Sequence, residues 1–266
     1  MSRADVKVPV RNEVELKLIR KSGEITAGAM RKTLESVRPG ITLVELDRIA
    51  EDEILRLGGG SSFKSVPGYY WTTCLTINDE VVHGIPRPIK LKKGDILGVD
   101  LGAVYQGWHT DSAWSVVVGG SRPEDGQSLV EEEKGKFLKV GEKVLWQAIS
   151  YAVEGNQIGD ISSAIQNGVE GSGFSVVKSL SGHGVGRSAH EEPEIPEYGK
   201  AKTGIKLCAG MVLAIEVIYT QGKGEVFEKE DSWTIASKDH SLGGLFEMSV
   251  VVGKKKGEVI TDWRKV

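Results

Sequence analysis

The stretch Gly94-Asp95-Ile96-Leu97-Gly98-Val99-Asp100 returns later in the chain as Gly210-Met211-Val212-Leu213-Ala214-Ile215-Glu216. Both copies begin on glycine, continue through branched aliphatic residues and end on an acid, and the two acids lie 116 residues apart. A weaker pair, Gly40-x-Thr42-Leu43 and Gly155-x-Gln157-Ile158, lies 115 residues apart. Two matches at nearly one offset indicate a duplicated half-domain, because solenoid repeats have periods of about 20–50 residues.

Each copy predicts a buried strand that ends on a carboxylate. If the two halves face each other, Asp100 and Glu216 come together. Buried carboxylates that crowd one another cannot all stay ionised without a cation. The duplication therefore predicts a metal site between the halves.

Length and composition favour one globular domain. The chain has 266 residues, of which 39% are apolar and 27% charged, as in ordinary globular proteins. We expect a single catalytic domain over residues 1–266, built from two halves at about 12–120 and 127–262 that share a core.

The net charge and the cysteines indicate which binding partners and which cellular compartment to expect. The net charge of −3 gives no electrostatic reason to expect nucleic acid or membrane as a partner. The two cysteines, Cys74 and Cys208, form no CxxC motif, which favours a reducing compartment. The charged first 30 residues do not resemble a signal peptide, and no apolar stretch has the length of a membrane span. We therefore expect a cytoplasmic protein.

Hydrophobic periodicity predicts the order helix, helix, strands twice. The predicted helices cover about 13–37, a segment opened by the capping box Thr42-x-x-Glu45, 128–153 and 158–168. The predicted strands cover about 72–77, 96–104, 113–118, 176–180, 212–219, 233–236 and 245–252, with loops at 84–88 and 193–199. This order predicts an α+β fold, with a mostly antiparallel sheet covered by helices on one face.

Four carboxylates stand out against this pattern. Asp100 ends one predicted strand, and Asp111 begins the return strand of a hairpin that turns at Gln106-Gly107. Two solvated turn aspartates are the alternative, and that alternative suits Asp111 better. Glu216 and Glu247 lie within apolar runs, where a buried glutamate needs a partner.

Two histidines complete the candidate set. His183 lies in Ser181-Gly182-His183-Gly184-Val185-Gly186, whose glycines leave the imidazole uncovered. A buried core histidine and, for His190, a surface-loop histidine are the alternatives. Four carboxylates and one imidazole without a thiolate suit Mn, Fe(II), Co or Zn in a catalytic site. Five ligands exceed the needs of one ion, and two ions would activate one water.

The same residues carry a resemblance. The set Asp100, Asp111, His183, Glu216 and Glu247, in this order, resembles the type I methionine aminopeptidases, which have the pita-bread fold of metallopeptidase family M24. The segments Cys74-Leu75-Thr76-Ile77-Asn78, His83-Gly84-Ile85-Pro86 and 180–193 are also similar to that family, over about residues 12–262. Only 33 positions separate His183 from Glu216, which leaves no room for the insertion of type II enzymes.

The resemblance implies a role for each residue. Asp100 would chelate one metal ion, Asp111 and Glu247 would bridge two, and His183 and Glu216 would complete the ligand set of the second ion. His83 would meet the substrate near the scissile amide, His190 would hydrogen-bond its carbonyl oxygen, and Glu216 would shuttle a proton. Cys74, Tyr69 and Trp233 would form the pocket for the first side chain.

Some residues depart from the family pattern without touching a metal ligand. Val66 and Ala189 stand where many members have aromatic residues, which predicts a wider pocket unless Tyr70 or Trp71 fills the gap. Glu197 stands where the family prefers Asn or His. Leu180 and Met248 depart as well.

The function expected from the sequence is removal of N-terminal methionine from nascent polypeptides when the second residue is small. A proline-directed (Xaa-Pro) aminopeptidase of the same fold is one alternative, although such enzymes usually carry a further N-terminal domain. A non-catalytic binding protein on this fold is the other, and the intact ligand set argues against it. The resemblance further implies a monomer and leaves ribosome association open.

Overall fold

A computed structural model describes residues 8–120 and 129–266. Four helices in these ranges match the predicted ones: α1 (Glu13–Ser36), α2 (Leu43–Arg56), α3 (Leu129–Ile149) and α4 (Ile158–Glu170). The predicted start of α3 at residue 128 lies outside the described residues. Its end comes before residue 153, because Val153 pairs with Gly253 and the Glu154 N–H donates to the Gly253 carbonyl over 2.9 Å. Among the described helices, none is long and apolar enough to cross a membrane.

The described strands are short at the periphery and long in the centre. They are β1 (Gly60–Ser61), β2 (Thr73–Ile77), β3 (Glu80–Val82), β4 (Ile96–Tyr105), β5 (Trp108–Val117), β6 (Ser175–Val176), β7 (Ser181–Gly184), β8 (Glu191–Pro196), β9 (Val212–Thr220), β10 (Val226–Glu228), β11 (Ile235–Ser237), β12 (Gly243–Val251) and β13 (Glu258–Val259).

The main sheet is antiparallel and has the order β1-β4-β5-β12-β9-β7-β8, with β2 on β4, β6 on β9 and β13 on β12. β4 and β5 form a hairpin whose two-residue turn, Gln106-Gly107, has positive φ at both positions, as tight hairpins require. β5 and β12 pair at the centre, so the two halves meet there. β10, β11 and β3 form a small second sheet.

Alternation along the central strands separates two faces. Leu97, Val99 and Leu101 of β4 belong to one hydrophobic cluster with apolar residues of all four helices. The same cluster takes alternate residues of the second half: Leu213, Ile215, Val217 and Tyr219 of β9, and Phe246, Met248 and Val250 of β12. The helices therefore pack on one face, and the residues between these positions point to the other face.

The duplication is visible in the backbone. Gly94 and Gly210, which open the two copies of the repeated stretch, have φ of 86° and 93°, and Gly40 and Gly155 have 90° and 92°. α2 begins at the predicted Thr42–Glu45 capping box, and α4 begins at the corresponding Gln157–Asp160 box. Matching residues thus hold matching conformations in the two halves.

The structure corrects the position of the acids. The strand predicted at about 96–104 is confirmed as β4, but Asp100 lies inside it rather than at its end, and Asp111 lies inside β5 rather than at its start. The ten residue pairs of this hairpin bury both aspartates. Apolar content alone marked too short a return strand, at 113–118, because β5 also includes the polar residues that precede Ala113.

Three peripheral predictions are also wrong. The strand expected at 176–180 is interrupted, because Leu180 N–H donates to the Val177 carbonyl in a turn before β7 begins. The strand expected at 233–236 begins only at Ile235, because the backbone N–H groups of Trp233 and Thr234 donate to the Asp231 carboxylate instead of to a neighbouring strand. The loop expected at 193–199 overlaps the second part of β8 (Glu191–Pro196), whose prolines are tolerated at the sheet edge.

Candidate metal centre and substrate pocket

A row of side chains crosses the face of the sheet that the helices leave open. Asp100 lies opposite Ala113, Ala113 lies opposite Glu247, and Glu247 lies opposite Glu216. Asp111 precedes Ala113 by two residues and shares its face. Neighbouring strands are about 4.8 Å apart, so the pairing brings carboxylates of both halves to one place.

His183 joins this row from the next strand. It lies opposite Ala214, two residues before Glu216. Ligand atoms of Asp111, His183 and Glu247 all lie within 4.8 Å of one another, and His183 Nε2 is 4.0 Å from Glu247 Oε1. His183 Nδ1 lies 2.9 Å from the Gly184 carbonyl oxygen. That hydrogen bond assigns the proton to Nδ1 and leaves the Nε2 lone pair available to a metal ion.

The carboxylates lack the partners that buried charges need. Asp100 Oδ1 and Glu247 Oε1 are buried, and no donor among the described residues reaches them. Burial and the neighbouring acids raise the pKa of Asp100 and Glu247 well above the usual range, and burial raises that of Asp111 to about 7. The pKa of Glu216 is raised by burial and by Asp111. Unpaired buried carboxylates beside a histidine nitrogen are the donor set of a divalent cation, so these residues fit a metal centre.

The histidines favour the neutral form. Burial, and then the charge of His190, lowers the pKa of His183 to about 3. The ring centroids of these two histidines are 4.3 Å apart. His83 lies at the exposed mouth, yet desolvation by the surrounding walls lowers its pKa to about 4. It has a φ of 58°, and Gly84 follows it where a Cβ would be 2.3 Å from the Leu75 carbonyl oxygen.

All ten residues proposed from the sequence line one cavity. Tyr69, Cys74 and Trp233 form its apolar side, together with Val66. The Tyr69 and Trp233 rings meet edge to face at 4.9 Å, and the Tyr69 hydroxyl donates to the Thr73 carbonyl oxygen over 2.7 Å. This apolar side begins next to the acids, because Cys74 lies opposite Asp100 in the β2–β4 pairing.

Sequence reasoning missed three lining residues: Phe63, Val82 and Leu245. Leu245 lies two residues before Glu247 on the same strand face, so strand alternation could have identified it. Nothing in the sequence marked Phe63, which lies in a single 3₁₀ turn.

The two residues considered as gap fillers do not line the cavity. Tyr70 is 75% exposed, and Trp71 packs against Tyr69 with ring centroids 5.3 Å apart. Ala189 is buried but is also absent from the cavity lining. Phe63, rather than residue 70, 71 or 189, therefore supplies aromatic bulk to the lining beside Val66.

Glu197 is a further buried acid beside the centre. It is 0% exposed, one of its oxygens accepts the Ile218 N–H over 3.0 Å, and the other has no partner among the described residues. Burial and the charge of Glu216 raise its pKa well above the usual range. Glu197, which stands where the family prefers Asn or His, is thus a second buried acid close enough to the candidate ligand Glu216 to feel its charge.

Comparison with known proteins agrees with this geometry. The model of metallopeptidase family M24 matches residues 17–252. The methionine aminopeptidase of Clostridium perfringens is 39% identical over 252 residues, which is 95% of this chain and 98% of that protein. Methionine aminopeptidase 1 of Bacillus subtilis is 38% identical over 93% of this chain and 96% of that protein.

Solved structures confirm the predicted fold. The methionine aminopeptidase of Thermotoga maritima superimposes with a TM-score of 0.90 at 36% identity, over 96% of this chain and 99% of that one. The prolidase of Pyrococcus horikoshii gives a TM-score of 0.74 at 21% identity over 63% of its length, which is a likeness of fold alone.

Proposed function

The chain belongs to metallopeptidase family M24, and on that premise we propose that it is the metallo-aminopeptidase that removes N-terminal methionine from polypeptides whose second residue is small. Methionine aminopeptidases that are 38% and 39% identical match over 93% and 95% of the chain. The row of acids from both halves, with two oxygens that lack partners, is the observation that carries the proposal.

The proposed centre holds two divalent ions, of Mn, Fe(II), Co or Zn. Its ligands would be Asp100, Asp111, His183, Glu216 and Glu247. When bound, such ions act as Lewis acids toward the scissile carbonyl and lower the pKa of water toward 7. The close approach of Asp111, His183 and Glu247 supports this assignment.

The chain's own residues would orient the substrate and move the proton. His190 would donate a hydrogen bond to the carbonyl oxygen as negative charge develops there. His83, at the mouth of the cavity, would contact the scissile amide. Glu216 would hold the proton that passes from the attacking water to the leaving amine.

The apolar side of the cavity fits the first side chain of the substrate. Tyr69, Cys74 and Trp233 would enclose the methionine thioether, with which aromatic rings make favourable contacts. Nascent N-termini are the proposed substrates. We accordingly propose the cytoplasm as the location, a monomer as the working form, and one domain over residues 1–266.

The alternatives are less well supported. The Xaa-Pro enzymes and prolidases that resemble this chain do so at 20–21% identity over 61–65% of their length. A non-catalytic protein has no need of five candidate ligands around one cavity.

A peptide-release assay tests the proposal. After chelation and removal of the chelator, Met-Ala-x, Leu-Ala-x and Xaa-Pro-x peptides are compared with Mn, Fe(II), Co and Zn restored one at a time. We expect no release without metal, and preferred release of methionine from Met-Ala-x with at least one metal. Preference for Xaa-Pro-x would favour the prolidase-like alternative. Absence of release with every metal would contradict the proposal that the protein is an aminopeptidase.

A further inference from the structure

The segment that ends at His190 is held by the residue that follows it. Glu191 Oε1 accepts the backbone N–H groups of Arg187 over 2.6 Å and Ser188 over 3.2 Å. Glu191 Oε2 accepts from Arg11 Nη2 in an ion pair. One carboxylate thus closes the loop on itself and ties it to a residue far away in the sequence.

Arg11 is itself fixed in place. Its side chain is 10% exposed, and its backbone N–H donates to the Gly210 carbonyl oxygen over 2.9 Å. Its guanidinium carbon lies 5.0 Å from the centre of the Trp108 ring, and the guanidinium carbon of Arg187 lies 3.8 Å from the same ring. Both distances are those of cation–π contacts.

The loop also meets the first half through its backbone. The His109 N–H donates to the Gly186 carbonyl oxygen over 2.7 Å. A Cβ at Gly186 would lie 2.6 Å from Arg11 Nη2, so the glycine permits the close approach of the arginine. The segment before α1, the β4–β5 hairpin and the loop before His190 therefore converge at one point.

We propose that Arg11 is a positioning residue, which fixes the His190 imidazole at the substrate through Glu191 and Trp108. The inference rests on the proposed role of His190. Without Arg11, Glu191 would keep its charge at a site where its side chain is only 14% exposed, and a buried charge without its partner is costly. The loop would then rearrange, and small displacements of a reacting group reduce rate strongly.

A double-mutant cycle tests this role, because a residue that acts through His190 loses its effect when His190 is absent. In the metal-loaded enzyme with Met-Ala-x, we expect Arg11→Ala to lower kcat about 10-fold. KM and metal content should stay unchanged. In a His190→Ala background the same substitution should change kcat by less than about twofold. Arg11→Lys, which keeps the charge, should restore most of the rate.

Two further variants keep the test informative if Arg11→Ala folds poorly. Glu191→Gln retains an acceptor for the loop N–H groups but removes the ion pair. It should lower kcat as much as Arg11→Ala does, and it should change kcat by less than about twofold in the His190→Ala background. Arg20→Ala is the matched control, since Arg20 pairs with Glu13 and Glu258 and should leave kcat unchanged.

The outcomes separate the inference from the proposed function. Equal loss in both backgrounds, or loss of metal in Arg11→Ala, would overturn the positioning role while leaving the aminopeptidase intact. A His190→Ala enzyme with normal kcat would instead remove the role proposed for His190, and the inference with it.

Discussion

The two halves of the sheet share a framework but divide the chemistry. β4 and β5 supply two aspartates, and β9 and β12 supply two glutamates in the same row. Beside β4, Cys74 lies opposite Asp100, whereas beside β9 His183 lies opposite Ala214. The duplicated backbone thus gives acids from both halves a common face. The flanking strands differ: β2 places an apolar side chain beside the acids, and β7 places a candidate ligand there.

Removing an acid from either half should have the largest effect. We expect Asp100→Ala and Glu216→Ala each to abolish release of methionine from Met-Ala-x, because each would deprive a shared centre of a charged ligand. Steady-state kinetics with saturating metal measures this. Glu194→Ala, at an exposed acid of β8, is the control and should keep full activity. Near-normal turnover in one variant alone would mean that the acid removed in it is not a ligand.

Removing the Asp111 charge should stabilise the metal-free protein, whereas removing an acid from the metal-loaded enzyme should abolish activity. Burial raises the pKa of Asp111 to about 7 from an ordinary 3.8, so the chelated protein takes up a proton there on folding. The stability that this group contributes is complete below about pH 4 and is lost as pH rises through about 7. Asp111→Asn should therefore have about the same unfolding free energy as wild type near pH 4 and become the more stable of the two proteins as pH rises to 7 and above.

Chemical denaturation of both chelated proteins across pH 4–8 measures this difference. A constant difference between the two proteins over that range would show that Asp111 titrates normally in the folded state. Repeating the series with metal restored should reverse the order, since the carboxylate would then be a ligand.

His190 should affect chemistry without affecting the ions. We expect His190→Ala to retain bound metal and to lose about 2–4 kcal/mol of transition-state stabilisation, the usual scale for one oxyanion donor. The loss should lie mainly in kcat. If metal content fell in parallel with kcat, His190 would be a ligand of the second half, and the division between the flanking strands would need revision.

The smallest expected effect concerns the apolar side of the first half. Phe63→Ala should enlarge the pocket and lower the preference for methionine over phenylalanine at the first position by about 10-fold, since apolar fit is worth about 1–3 kcal/mol. The ratio of kcat/KM for Met-Ala-x and Phe-Ala-x measures this. Ala189→Phe, at a buried position outside the cavity lining, should leave the ratio unchanged, and a sharper preference for methionine would mean that residue 189 lines the pocket.

The sequence predicted what depends on the duplication and missed what depends on packing. The repeated glycine-to-acid stretch gave the central strands, and the resemblance gave the ten residues that surround the cavity. The sequence pattern misplaced Asp111 at the start of a strand, because the polar residues of a paired hairpin resemble those of a turn. It missed Phe63 and β8, since a short turn and an edge strand with prolines depend on contacts that only the folded sheet provides.

Metal content and activity measured on the same sample are the most direct test of the two-ion centre. We expect two divalent ions per chain in fully active protein, and loss of methionine release as a chelator removes those ions. A sample that releases methionine at full rate with no bound metal would contradict it.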